Sequence, residues 1–154
     1  MKGAVASLLF LAFAIPSAYA GLSRAQLDSV SASPPPGARL DLGLAARDAN
    51  GRMHRIGEIL SGHPAFVNFV DYTCNTLCGT DLQLLSQALQ NSRLGASRYR
   101  IVVIGLDPKD RARDARAMAA KEIPAALRPN TVLLLPDQAF VRRVTQALGF
   151  HYVY

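Results

Sequence analysis

A chain of 154 residues fits one domain with a sizeable core and leaves little room for several. Half of it is apolar, which excludes a disordered chain. The formal charge of +6 comes mostly from arginines scattered over predicted helices and turns, without a long run and without interleaved aromatics. It reads as a solvated basic surface, less often as a face steered to an acidic partner or an anionic membrane surface, and not as a nucleic-acid interface.

The amino end carries Lys2, an apolar run from Ala4 to Ile15 and the small-x-small triplet Ala18-Tyr19-Ala20. This pattern predicts a secretory signal over residues 1–20 and a mature chain that starts near Gly21. The run falls below the ~20 residues that span a bilayer; a retained membrane tether is the alternative. Gly21 to Arg39 contains Ser33-Pro34-Pro35-Pro36-Gly37 and reads as an extended, solvated linker.

Leu40, Leu42 and Leu44 alternate with Asp41 and Gly43, as a half-buried strand would. Asp48-Ala49-Asn50-Gly51 is a hairpin signal, with Arg52 to Ile56 as the return strand. Glu58 to Leu60 predicts a short helical turn, broken at Gly62-His63-Pro64. Ala65 to Val70 reads as the first central strand. Leu82, Leu84, Leu85, Ala88 and Leu89 then recur with helical spacing, with Thr80 or Asp81 as N-cap and Gly95 as stop. Tyr99 to Leu106 is near-continuously apolar and β-branched, like a parallel strand covered on both faces, and Asp107-Pro108 ends it.

Arg111 to Ile123 predicts a helix and Thr131 to Leu135 a strand. Asp137 to Leu148 is a further helix, capped by Asp137 and closed by Gly149, and Phe150 to Tyr154 begins another strand. Strands alternating with helices predict an α/β domain with a largely parallel central sheet over residues 40–154. The last strand has neither a neighbour nor a covering helix in this reading, which suggests a domain whose carboxyl part is missing.

The only two cysteines, Cys74 and Cys78, fall between the Ala65–Val70 strand and the helix after it. Chemistry in open α/β sheets collects at the carboxyl ends of strands. Residues four apart share a helical face, so the sulfurs can converge on one ion or close on each other. Thiolates select Cu(I), zinc or iron–sulfur chemistry over hard cations. Zinc wants four ligands, or three and a water, whereas Cu(I) accepts fewer. The positive end of the following helix favours thiolate, and Asp71 opposes it.

A structural disulfide is the plain alternative in an exported chain. A bridge closing so short a loop, however, gains little by restricting the unfolded state. Three intervening residues, instead of two, argue against ordinary thioredoxin chemistry.

Phe69-Val70-Asp71-Tyr72-Thr73-Cys74-Asn75-Thr76-Leu77-Cys78, after an apolar strand, resembles the Sco/SenC family of copper chaperones. The likeness extends to Val102-Val103-Ile104-Gly105-Leu106-Asp107-Pro108-Lys109-Asp110 and to Asp137–Tyr154, covering about residues 40–154. It implies a thioredoxin-like fold, with copper bound by Cys74, Cys78 and one distant histidine. It also implies delivery of the metal to the binuclear copper centre of cytochrome c oxidase, with the copper-receiving subunit as partner; the chain is expected to act as a monomer. The expected place is the periplasm or the outer face of the inner membrane. The family's histidine follows the strand that begins here near Phe150 and falls beyond Tyr154, which again suggests an incomplete domain.

The alternative function is a thiol–disulfide reductase that keeps the oxidase's copper-site cysteines reduced, with Cys74 and Cys78 as its redox pair. A peroxide-reducing enzyme of related fold and a binding module with an inert disulfide are more remote. His54, in the return strand, and His63, in its Gly-His-Pro turn, read as solvent-facing structural residues. His151 is nearest in sequence to the expected ligand but falls early in a strand. Asp71 and Asp107 could sit at neighbouring strand ends and shape the field around the sulfurs, although each more often caps a turn. Met53 and Met118 are isolated and offer no copper box.

Overall fold

The computed structural model describes residues 23–153, so the predicted signal over residues 1–20 lies outside the described residues. In chain order the elements are α1 (Arg24–Asp28), β1 (Ser31–Ala32), β2 (Ala45–Asp48), β3 (Met53–Arg55), α2 (Ile56–Leu60) and β4 (Ala65–Val70). They continue with α3 (Leu77–Asn91), β5 (Arg100–Gly105), α4 (Ala112–Glu122), β6 (Thr131–Leu135), α5 (Gln138–Ala147) and β7 (Phe150–His151).

Five strands form one sheet in the order β3-β2-β6-β5-β4. β4, β5 and β6 are parallel, with Val67 beside Val102 and Val102 beside Val132; β2 runs antiparallel to both β3 and β6. Right-handed crossovers that step the same way along a sheet leave their helices on one face. α3 and α4 do share a face.

The alternation along β5 builds both cores. Ile101 and Val103 join Leu82, Leu89, Ala115, Met118 and Ile123 on the α3/α4 side. Val102 and Ile104 join Ile56, Ile59, Leu134, Phe140 and Val144 on the α2/α5 side. A strand covered on both faces needs apolar residues at every position, which is why this run was legible from sequence.

Several expectations are corrected. Leu40 to Leu44 is not a strand: Asp41 Oδ1 accepts the Gly43 N–H at 2.9 Å in a tight turn, Leu42 is 54% exposed, and β2 starts only at Ala45. The hairpin turn lies where expected, with Gly51 at φ +83°. Its return strand is shorter than predicted because Ile56 already opens α2.

The segment Gly21–Arg39 is not a structureless linker where it is described. β1 within it pairs antiparallel with β7, placing Ser31 beside His151 and Ala32 beside Phe150, so the last strand has a neighbour after all. Gly149 permits this: its φ is +58°, and a β-carbon there would collide with the Ser33 carbonyl. Phe150 in turn stacks on Phe69 of β4, with ring centroids 4.5 Å apart.

β4 is the edge of the five-stranded sheet among the described residues, not a central strand. Its exposure follows: Phe66 is 36% exposed, whereas Val70 is fully buried. α3 begins at Leu77, ahead of the expected cap at Thr80 or Asp81. Its buried line is Gly79, Leu82, Ser86 and Leu89, which leaves Leu84 60% exposed and Ala88 exposed. The helix also stops before Gly95, with Arg93 taking the left-handed turn at φ +57°. Asn68 Nδ2 donates to Asp81 Oδ2 at 2.7 Å and fixes α3 against β4.

Candidate dithiol site

β4 ends at Val70, and the chain turns sharply before α3 starts at Leu77. The turn is built from its own polar groups. Cys74 N–H donates to the Asp71 carbonyl at 3.1 Å, while Asp71 Oδ1 accepts the Thr73 N–H at 2.8 Å and the Thr73 hydroxyl at 2.7 Å. Asp71 is thus a turn residue, as one reading of the sequence had it. Cys74 lies in this turn and Cys78 lies in the first turn of α3; both are half-buried free thiols.

The start of α3 is capped in an unusual way. Thr76 occupies the N-cap position with φ −120° and ψ −96°, yet its hydroxyl caps no backbone N–H. That hydroxyl instead lies 3.4 Å from Cys74 Sγ.

The charge consequences are opposite for the two thiols. The Thr76 hydroxyl, followed by the Cys78 and Thr76 N–H groups, stabilises a negative Cys74 and brings its pKa down to about 6. Burial against the α3/α4 core pushes the Cys78 thiol up, and the hydrogen bond to Cys74 and its charge push in the same direction. The two thiols are thus inequivalent, and together they make a soft donor set.

Tyr72, 4% exposed, ties this loop to the sheet. Its hydroxyl donates to the Val103 and Leu134 carbonyls at 3.0 and 3.2 Å, and its N–H donates to Asp110 Oδ2 at 2.9 Å. Burial pushes the Tyr72 phenol up. Burial also raises Asp110, to about 6, with the charges of Asp71, Asp107 and Asp114 adding to the effect. Asp107 follows β5 just as Asp71 follows β4, so the two do sit at neighbouring strand ends. Asp107 caps its own turn by accepting the Lys109 N–H at 2.8 Å.

An open groove of about 620 Å³ runs from Cys74 between α3 and α4, past Thr76, Thr80, Asp114, Lys121 and Glu122. Gly79 keeps it narrow at one point, since a β-carbon there would lie 3.0 Å from Glu122 Oε1.

The histidines are not brought to the sulfurs. His54 Nε2 pairs with Asp48 Oδ2 at 2.9 Å and its side chain is only 24% exposed, which corrects the solvent-facing expectation. His63 is half-buried, with Nδ1 3.3 Å from the Leu60 carbonyl, and His151 is exposed in β7. Met53 is exposed and Met118 is core. Among the described residues no group of three or more His, Cys, Asp or Glu side chains could hold a metal ion. Sequence reasoning missed the roles of Thr76 and Asp110. Thr76 could have been found as the hydroxyl nearest Cys74; Asp110 meets Tyr72 across 38 positions, and no local pattern announces it.

No family model matches the chain, and no curated protein matches it in sequence. Solved structures do match. The chain has a thioredoxin-like α/β fold, shared with Sco structures, as the resemblance implied. It is similar to Bradyrhizobium japonicum ScoI with copper bound, with a TM-score of 0.55 at 21% identity over 70% of this chain and 67% of that one. BsSco, described as a member of the Sco family of cytochrome c oxidase assembly proteins with a disulfide switch, gives a TM-score of 0.55 at 16% identity, over 81% and 67%. A proposed electron transfer protein from Aquifex aeolicus VF5 gives 0.62 at 13% identity, over 76% and 74%.

Proposed function

We propose that this chain is a copper-handling protein serving cytochrome c oxidase assembly, and that Cys74 and Cys78 hold Cu(I) in transit. The observation that carries this reading is the pair of free, half-buried thiols at the end of β4 and the start of α3. The supporting likeness is to structures described as ScoI and Sco1 with copper bound.

Cys74 is ready to ligate at neutral pH, and Cys78 gives up its proton as the metal enters. With no histidine beside the sulfurs among the described residues, the pair forms a low-coordinate complex. Such a complex suits transfer by ligand exchange: an incoming cysteine or histidine binds before one thiolate lets go, so the ion is never free. The recipient is the oxidase's copper-receiving subunit. The place of action is outside the cytoplasm, in the periplasm or at the outer face of the inner membrane, reached by the predicted signal.

Anaerobic titration of the reduced protein with Cu(I), read by thiolate-to-copper charge-transfer absorption, tests this reading. Binding of one ion per chain is expected, and its loss in Cys74→Ser and in Cys78→Ser. Stoichiometric binding retained in Cys74→Ser would remove the proposal.

The inequivalence of the thiols favours a second reading, reduction of the oxidase's copper-site disulfide. The Cys74 thiolate attacks one sulfur of the target disulfide, forming a mixed disulfide and releasing one target thiolate. Cys78 then loses its proton and attacks Cys74 Sγ. The second target thiolate leaves, and the Cys74–Cys78 disulfide carries away the two-electron oxidation. A trapped mixed disulfide between the Cys78→Ser protein and the target would select this reading.

A further inference from the structure

Tyr72 stands two residues before Cys74 and is held from three directions. Its hydroxyl bonds to two carbonyls inside the sheet. Its ring lies against Gly105, where a β-carbon would come within 2.8 Å of Cε2. These contacts fix the side chain. The peptide that leads into the turn is fixed separately, by the Tyr72 N–H directed at Asp110 Oδ2. From there the Cys74 N–H returns to the Asp71 carbonyl, and the sulfur comes to rest 3.4 Å from the Thr76 hydroxyl.

Asp110 is an expensive way to hold one N–H. Its other oxygen, Oδ1, is buried without a hydrogen-bond partner among the described residues. The charges of Asp71, Asp107 and Asp114 surround it. A neutral side chain with one acceptor would hold the loop with less strain on the fold. Departures of this kind from local consistency gather at functional sites.

We propose that Asp110 is the positioning residue of the dithiol: by accepting the Tyr72 N–H it sets the Cys74 sulfur beside the Thr76 hydroxyl at the start of α3. It touches neither sulfur and acts through Tyr72. The role rests on the dithiol being the working site, whichever of copper or electrons it passes.

The test is site-resolved alkylation of the reduced, metal-free protein at neutral pH, quantified by mass spectrometry as the ratio of Cys74 to Cys78 labelling. Labelling depends on where each sulfur is held as well as on its thiolate character, so the wild-type ratio sets the reference. Asp110→Ala should cut that ratio by about ten-fold, as the sulfur leaves its donors. Asp110→Asn keeps an oxygen that can accept the Tyr72 N–H and should restore the ratio to within about two-fold. A wild-type ratio in Asp110→Ala overturns the proposal, and so does an equal collapse in Asp110→Asn, which would assign the effect to charge.

If Asp110→Ala fails to fold, Asp110→Ser is polar but too short to reach and should show the same loss; an unchanged ratio there is equally fatal. The labelling involves no metal. A failed copper titration therefore leaves this result standing, and a flat labelling series leaves the copper reading standing.

Discussion

Two carboxylates, Asp48 and Asp110, show how one residue type serves two purposes in this molecule. Asp48, 7% exposed, is fully engaged: Oδ1 accepts the Asn50 and Arg52 N–H groups at 2.8 Å each, and Oδ2 pairs with His54. Burial works to raise it, but the Arg52 N–H, His54 and the Asn50 N–H outweigh that and hold it below the usual carboxylate range. Asp110 holds one N–H, has an oxygen without a hydrogen-bond partner among the described residues and sits above that range. The first carboxylate builds a hairpin. The second strains the fold to place a loop.

Removing the engaged carboxylate should hurt most. Asp48→Ala strips acceptors from two backbone N–H groups and from His54, and should cost about 2–4 kcal/mol in denaturant unfolding. A loss below about 0.5 kcal/mol would erase the contrast between the two groups.

The contrast also predicts opposite pH slopes. The Asp48 pKa is lowered on folding, so its contribution is present above its unfolded value of 3.8 and is lost as pH falls through the folded value. The Asp110 pKa is raised, so the native state binds that proton more tightly, and its contribution weakens as pH rises from 3.8 through about 6. Thermal unfolding of Asp48→Asn and Asp110→Asn against the wild type, from pH 4 to 7, separates the two. The Asp48→Asn deficit should grow with pH, and Asp110→Asn should gain on the wild type over the same window. Slopes of the same sign for both would refute the assignment.

At neutral pH the expected gain for Asp110→Asn is modest, about 2–5 °C in Tm. The smallest effect belongs to Leu84→Gln: at 60% exposure it should stay within about 0.5 kcal/mol of the wild type. A larger loss would mean that this face of α3 is covered in solution.

The alternation of strands and helices was legible because each long element carries its own period. β5 shows this best, with Ile101 and Val103 facing one core and Val102 and Ile104 the other. The dithiol was legible too, as the only cysteines at the end of an apolar strand. Other features left no local mark. β1 and β7 are two residues each, too short to show a period, and their pairing joins the two ends of the described chain. The edge position of β4 depends on strand order, which residues 65–70 alone cannot encode. The start of α3 was misplaced toward Thr80 because capping rules look for a side-chain oxygen on a backbone N–H, and Thr76 at the N-cap makes no such bond. Asp110 looked like one more turn residue until the fold set it against Tyr72.

The charge on Cys74 links its chemistry to conformation. When Cys74 is oxidised or alkylated it loses the negative charge that its place at the start of α3 favours. The opening residues of α3 should then fray, with faster amide exchange at those positions, while the remainder of the helix stays anchored by Leu82 and Leu89. A partner touching Leu77, which stands 79% exposed between the cysteines, would meet a firm ridge on the reduced protein and a softened one on the oxidised form.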